Sequence, residues 1–289
     1  MREIALNESN INRLKEYPLQ DVFSTESTIY YYKRDHEEGS LLLKKLFLTD
    51  EKRVGRKEET IDRLQESELA TYKELVIPQD IVTIGGVKSG FTIKEVEDCR
   101  NLHLLLKDYS VPTKRKIEIL RKIGDLVKRV ECQEQEFYFG DLQDYNFLVD
   151  NADDVYAVDL DSSAVSRKKP LDTKYIIIDK KTHGIEKYKV NKAGRAYPSR
   201  NVDRYCYNTM VLNFLAGLEM NRVSFQEYFQ YIDYLANVGI IPEEMRQVYI
   251  NHYSDKDNEL VTDYLEEVPE ENGRGRFKVY QALQKIKQK

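Results

Sequence analysis

Apolar and polar positions divide the chain into a strand-rich first third, a single hairpin near the middle, and a helical remainder. Thr28 to Tyr32 is β-prone, His36 to Ser40 is a polar turn around Gly39, and Leu41 to Leu48 is an apolar run interrupted by Lys44 and Lys45. Lys57 to Glu74 has a helical pattern with Ile61, Leu64, Leu69 and Tyr72 as its sparse apolar positions, and it closes before Ile77 and Pro78. Asp80 to Gly86 and Gly90 to Val96 predict two strands joined by Val87, Lys88 and Ser89. Thr113 to Val130 predicts an amphipathic helix, with Pro112 near its start and Ile119, Ile123, Leu126 and Val130 on one face. Ser224 to Asn237, Pro242 to Tyr253, Glu259 to Glu267 and Phe277 to Ile286 are helical in pattern, punctuated by Gly239 and Gly273. The expected class is α+β.

The middle stretch, Phe137 to Ser163, reads FYFGDLQDYNFLVDNADDVYAVDLDSS. The apolar runs Phe147 to Val149 and Val155 to Val158 flank an Asn/Asp turn, which is a hairpin signal. Such a hairpin brings Asn146, at the start of one run, beside Asp159, at the end of the other. Asp141 precedes both in the loop after Gly140. Two carboxylates and an amide converging in this way form the oxygen-rich setting that Mg2+ takes, with phosphates as further ligands. The competing reading is coincidence, because the chain holds 50 Asp and Glu residues.

Composition narrows the classes. At 289 residues the chain can bury one large core or two smaller ones. A net charge of −5 and the lack of a basic block give no sign of a nucleic-acid or anionic-membrane surface, so no nucleic-acid partner is expected. Three cysteines, Cys99, Cys132 and Cys206, show no C-x-x-C spacing, which fits reduced thiols in a cytoplasmic protein. The start MREIALNESN has no apolar signal region and no run approaches a membrane span, so no membrane association is expected.

Taken together, these residues resemble the protein-kinase-like superfamily, in the manner of bacterial or phage-type atypical kinases related to Ser/Thr protein kinases and to aminoglycoside and choline kinases. Asp141 and Asn146 match the family's catalytic loop, and Asp159, Leu160, Asp161 match its D-F-G element. LLLKKL resembles the V-A-I-K strand, which gives Lys44 the phosphate-binding role. The alternative is an edge strand with solvated lysines. Glu68, ten residues before Pro78, takes the place of the helix glutamate that pairs with that lysine, and Glu66 or Glu59 could replace it. EVEDCRNL resembles the hinge, with backbone groups around Glu95 and Glu97 at the adenine edge and Leu148 on the floor of that site. Lys94 then stands where the family has an apolar gatekeeper.

The polar stretch after Asp161, with one β-prone run at Tyr175 to Ile178, matches an activation segment, and Tyr197, Pro198 resemble its A-P-E end. Asp203 resembles the buried aspartate that hydrogen-bonds the catalytic loop, and a plain helix cap is the alternative. FSTEST replaces the glycine-rich loop, leaving Ser24 and Thr25 with nearby amides to meet phosphates. Phe139 and Gly140 replace the His and Arg of H-R-D, which implies no switching by loop phosphorylation.

The resemblance implies a two-lobed fold, with a β-rich N-lobe (1–96) carrying one αC helix and a mostly helical C-lobe (97–289). It further implies a Mg2+- and ATP-dependent transfer of the γ-phosphoryl group to a hydroxyl. In that reaction Asp141 handles the acceptor proton, Asn146 and Asp159 hold Mg2+, Lys44 braces the phosphates and Glu68 positions Lys44. The favoured acceptor is a Ser/Thr protein substrate. A small-molecule alcohol, AMP transfer and a nucleotide-binding pseudokinase scaffold stay open.

Overall fold

The computed structural model describes residues 2–18, 26–32, 40–47, 51–133, 137–165, 189–190, 196–197, 202–220, 223–251, 259–269 and 281–282. The first part is a mixed five-stranded sheet. Its strands are β1 (Glu3–Leu6), β2 (Ser27–Tyr32), β3 (Leu41–Leu46), β4 (Ile81–Ile84) and β5 (Val87–Lys94), in the order β1-β4-β5-β3-β2. Only β1 runs parallel to its neighbour; the other pairs are antiparallel.

β3 therefore lies inside the sheet, with Lys44 opposite Ile29 on one side and Phe91 on the other. An edge strand with solvated lysines is thereby ruled out. Side chains alternate across a strand, so Leu42, Lys44 and Leu46 share a face. Leu46 on that face packs with Ile81, Phe91 and two residues of helix α2 (Glu51–Gln65), Val54 and Ile61. The opposite face buries Leu43, Val82 and Ile84 against Ile11 of the short helix α1 (Glu8–Ile11). Lys45 is on that side, 3.9 Å from Glu8.

Several boundaries differ from the sequence expectation for physical reasons. The turn between β4 and β5 is Gly85-Gly86, both at positive φ (59° and 83°), which is the two-residue geometry that matches strand twist. Val87, Lys88 and Ser89 belong to β5 instead of the turn. The helix expected over Lys57 to Glu74 begins at Glu51 and stops at Gln65. Ser67 ends it: its hydroxyl donates to the Leu64 carbonyl and accepts from Leu69 N–H, starting a separate 3-10 turn, Glu68–Thr71. β1 was not foreseen, being a four-residue strand that depends on pairing with β4.

The second part contains a three-stranded antiparallel sheet of β6 (Cys99–Asn101), β7 (Phe147–Asp150) and β8 (Val155–Ala157). The expected hairpin is present, and Asp150 closes its turn by accepting from the N–H groups of Ala152 and Asp154, each at 2.9 Å. Ahead of that hairpin, Tyr138 pairs with Ala164 in an isolated antiparallel bridge.

Helices α3 (Leu102–Lys107), α4 (Thr113–Glu131), α5 (Val202–Ala216), α6 (Phe225–Asn237) and α7 (Glu243–Asn251) follow or flank that sheet. The segment expected to close as an α-helix is a 3-10 helix, Val261–Glu267. The buried stripe of α4 (Ile119, Ile123, Leu126, Val130) and the largely buried α5 centre one large core, which Phe147, Val149 and Leu64 also enter. The expected run Tyr175 to Ile178 lies outside the described residues, as does all of Phe277 to Ile286 except the helical pair Gln281 and Ala282. Among the described residues no helix is long and apolar enough to cross a membrane, and no cysteine is in a disulfide.

Candidate functional site

The site is built where the loop before β7 meets the end of β8. Asp203, in the first turn of α5, is buried and accepts from the backbone N–H of Phe139 (2.9 Å) and of Gly140 (3.3 Å). A buried N–H pair needs such an acceptor, so Asp203 fixes the loop, and this is more than a cap of its own helix. Gly140, immediately before Asp141, sits at φ 76°, a turn a side chain resists.

Asp141 is then held from its own side. Gln143 Nε2 donates to Asp141 Oδ1, and Asn146 Nδ2 donates to the Asp141 carbonyl (2.8 Å) and to Oδ2 (3.2 Å). An amide that donates through nitrogen presents its oxygen as the remaining acceptor. The Val158 N–H donates to the Asn146 carbonyl at 2.9 Å, which ties Asn146 to the residue before Asp159. Burial, reinforced by the charge of Asp159, pushes the Asp141 carboxyl above its ordinary value.

Asp159 adopts a left-handed conformation (φ 64°, ψ 31°), uncommon for a residue with a side chain and a frequent mark of functional turns. It accepts from Lys44 Nζ. Lys44 also donates to Asp161 Oδ1 at 2.7 Å. The other Asp161 oxygen, Oδ2, accepts from Lys57 Nζ at 2.7 Å, and Lys57 further donates to Ser162 Oγ at 3.0 Å. Burial alone would raise Asp161, but the two ammonium groups hold it well below the usual carboxylate range. Asp159 moves the other way, raised by burial and by the charge of Asp161 against the pull of Lys44. Burial disfavours charge on Lys44, and Asp159 and Asp161 overcome that and hold its pKa above the ordinary value.

Of the residues singled out in the sequence, Lys44, Asp141, Asn146 and Asp159 are brought together. Glu68 is not. It is exposed at the start of the 3-10 turn, and the carboxylates on Lys44 are Asp159 and Asp161. Glu59 pairs with Arg63, and Glu66 is exposed, so neither replaces it. The residue on α2 that faces the site is Lys57, 1% exposed. Its signal was present in the sequence: Val54, Lys57, Ile61 and Leu64 recur at helical spacing, so a lysine occupies the buried stripe.

At the expected hinge, the Glu95 N–H is already donated to the Ser40 carbonyl (2.9 Å), so it is no donor for an adenine edge, and Glu97 is exposed. Leu148 is half-buried on the face of β7 opposite to the buried Phe147 and Val149. Ser24, Thr25 and Pro198 lie outside the described residues, and Tyr197 is in a two-residue strand, Ala196–Tyr197, paired with Lys189–Val190.

No group of three or more His, Cys, Asp or Glu residues is arranged to hold a metal among the described residues. The donors that do converge, the Asp159 carboxylate and the Asn146 amide oxygen beside Asp141, are hard oxygens. They fit an ion such as Mg2+, which takes one or two carboxylates and completes its shell with phosphate and water. No protein-family model matches the chain, and no curated protein does.

Proposed function

We propose that the chain is a two-lobed kinase-like phosphotransferase that moves the γ-phosphoryl group of ATP to a hydroxyl, with a Ser/Thr protein as the favoured acceptor. Residues 1–96 form the nucleotide-binding lobe and 97–289 the lobe that carries the acceptor chemistry. The observation that carries this reading is the position of Asp141, fixed from behind by Asp203 through Phe139 and Gly140 and fixed at its carboxylate by Gln143 and Asn146. A carboxylate whose pKa is raised, held in one orientation beside a second carboxylate and a lysine, suits accepting or orienting a hydroxyl proton.

Asn146 and Asp159 would hold Mg2+, and Lys44 would contact the phosphates. Mg2+ in that position supplies charge neutralisation at the phosphate oxygens. The residues then contribute by position: phosphoryl transfer is catalysed mostly by alignment and electrostatic stabilisation. A nucleotide-binding scaffold without transfer is the second reading, favoured by the absence of a helix carboxylate on Lys44 among the described residues.

The test is incubation of the purified protein with Mg2+ and ATP labelled separately at the γ and α positions, beside the Asp141→Ala variant. The expected result is γ label on the protein or an added acceptor, falling at least about 100-fold in the variant while nucleotide binding persists. Transfer of α label would indicate AMP transfer instead. Binding without label on the protein or on any offered protein or small alcohol would leave the scaffold reading.

A further inference from the structure

Two lysines and two aspartates share one buried cluster, and the two lysines are not equivalent. Lys57 comes from α2, is 1% exposed, and meets Asp161 Oδ2 at 2.7 Å and Ser162 Oγ at 3.0 Å. Another carboxylate, Glu26, is farther from Lys57, at 3.8 Å. Lys44 comes from β3 and divides its donors between Asp161 Oδ1 and Asp159, and the Asp159 side chain retains 32% of its exposure. The Asp161 side chain retains 1%. A carboxylate so deeply buried needs a cation in every state of the protein, because an unpaired buried charge is strongly destabilising.

Were Lys44 the only cation on Asp161, drawing it toward an incoming anion would strand that charge. With Lys57 on the opposite oxygen, Lys44 can leave and Asp161 stays paired. We infer that Lys57 is a positioning residue: it holds Asp161 and α2 in place, which frees Lys44 to exchange its carboxylates for the phosphates of a bound nucleotide. The inference deepens the phosphotransferase reading and rests on it for the identity of the anion. In this arrangement the link between helix and strand runs through Asp161, and a lysine stands on α2 where the resemblance implied a glutamate.

Two measurements on Lys57→Met, Lys57→Arg, Asp161→Asn and the double variant Lys57→Met/Asp161→Asn test it. The first is affinity for a fluorescent ATP analogue with Mg2+. Lys57→Met should bind about tenfold or more weakly, because Asp161 then retains Lys44, while Lys57→Arg stays close to the wild type. The double variant, in which the buried Asp161 charge is gone and Lys44 keeps its pairing with the more exposed Asp159, should recover to within about threefold of the wild type. The second is the urea midpoint without nucleotide, where Lys57→Met should be the less stable and the double variant should regain part of the loss.

Lys57→Met binding as the wild type does, or a double variant no better than Lys57→Met in either measurement, overturns the inference and leaves the phosphotransferase reading intact. A wild type that binds no nucleotide sinks that reading instead. The urea series then decides the Lys57 assignment alone: recovery in the double variant supports it, and no recovery overturns it.

Discussion

Two regions of the site are constructed in opposite ways. Around Asp141 the fixing bonds are mostly short-range: Gln143 and Asn146 lie within five residues of it, and Asp203 adds two backbone bonds from afar. Around Lys44 and Lys57 the pairings with Asp159 and Asp161 are long-range, joining residues 104 to 117 positions apart through charge. The first region is a turn with its hydrogen bonds satisfied, so it has essentially one geometry. The second is a set of ammonium and carboxylate groups that can trade partners. Under the proposed reading, a rigidly held proton-accepting carboxylate beside cations that can exchange partners is suited to binding an anion and then acting beside it.

Removing the anchor of the rigid region should have the largest effect. Asp203→Ala leaves the N–H groups of Phe139 and Gly140 buried without their acceptor, a penalty of about 1–3 kcal/mol for each group. Urea unfolding should report a loss of that order. Any transfer activity should fall about 100-fold or more, because Asp141 loses its backing. A stable variant with unchanged activity would break the contrast between the two regions.

Asp203 also predicts a pH dependence. Burial pushes its carboxyl up to about 7, with Glu131 adding to the rise and the N–H groups of Phe139 and Gly140 opposing it. The group binds its proton more tightly in the folded chain than in the unfolded one, where the ordinary value is about 3.9. Its contribution to stability is therefore full below about pH 4 and lost as pH rises through about 7, at no more than roughly 1.4 kcal/mol per pH unit. Across that window the wild type should lose stability relative to Asp203→Asn, whose side chain does not titrate. Parallel urea midpoints for the two proteins from pH 4 to 7.5 would refute the assignment.

The exchangeable region has a steric weak point in β5. A Cβ added at Gly90 would overlap the carbonyl oxygen of Lys44 on the neighbouring strand. Gly90→Ala should push β3 away from β5, costing about 1–3 kcal/mol and weakening nucleotide binding through the displaced Lys44. Gly55, in the exposed interior of α2 with open space around its Cα, is the control. Gly55→Ala should be neutral or stabilising by up to about 1 kcal/mol.

The same division governs what could be read from the sequence. The hairpin, the amphipathic α4 and the Asp141, Asn146, Asp159 set were legible because each rests on short spacings and local turn chemistry. The end of α2 was missed because it depends on one Ser67 hydroxyl, and β1 because its stability comes from a partner strand far along the chain. The cation cluster was half legible. Lys44 stood out as a charge in an apolar run, whereas Lys57 was hidden among the charges of EKRVGRKEET although it interrupts the stripe Val54, Ile61, Leu64. Its partner is Asp161, which the sequence placed at the end of the D-F-G-like element without a role of its own.

Glu68 provides the smallest expected effect and a sharp check on that wiring. It is exposed on a 3-10 turn, away from the carboxylates that engage Lys44. A surface substitution of this kind changes stability by no more than about 0.5 kcal/mol. Glu68→Ala should accordingly leave the urea midpoint, the nucleotide affinity and any transfer rate at wild-type values, while Lys57→Met should not. If Glu68→Ala instead lost nucleotide affinity, a glutamate would be reaching Lys44 in the working protein. The lysine on α2 would then be only a structural counter-charge, and the difference between the rigid and exchangeable regions would disappear.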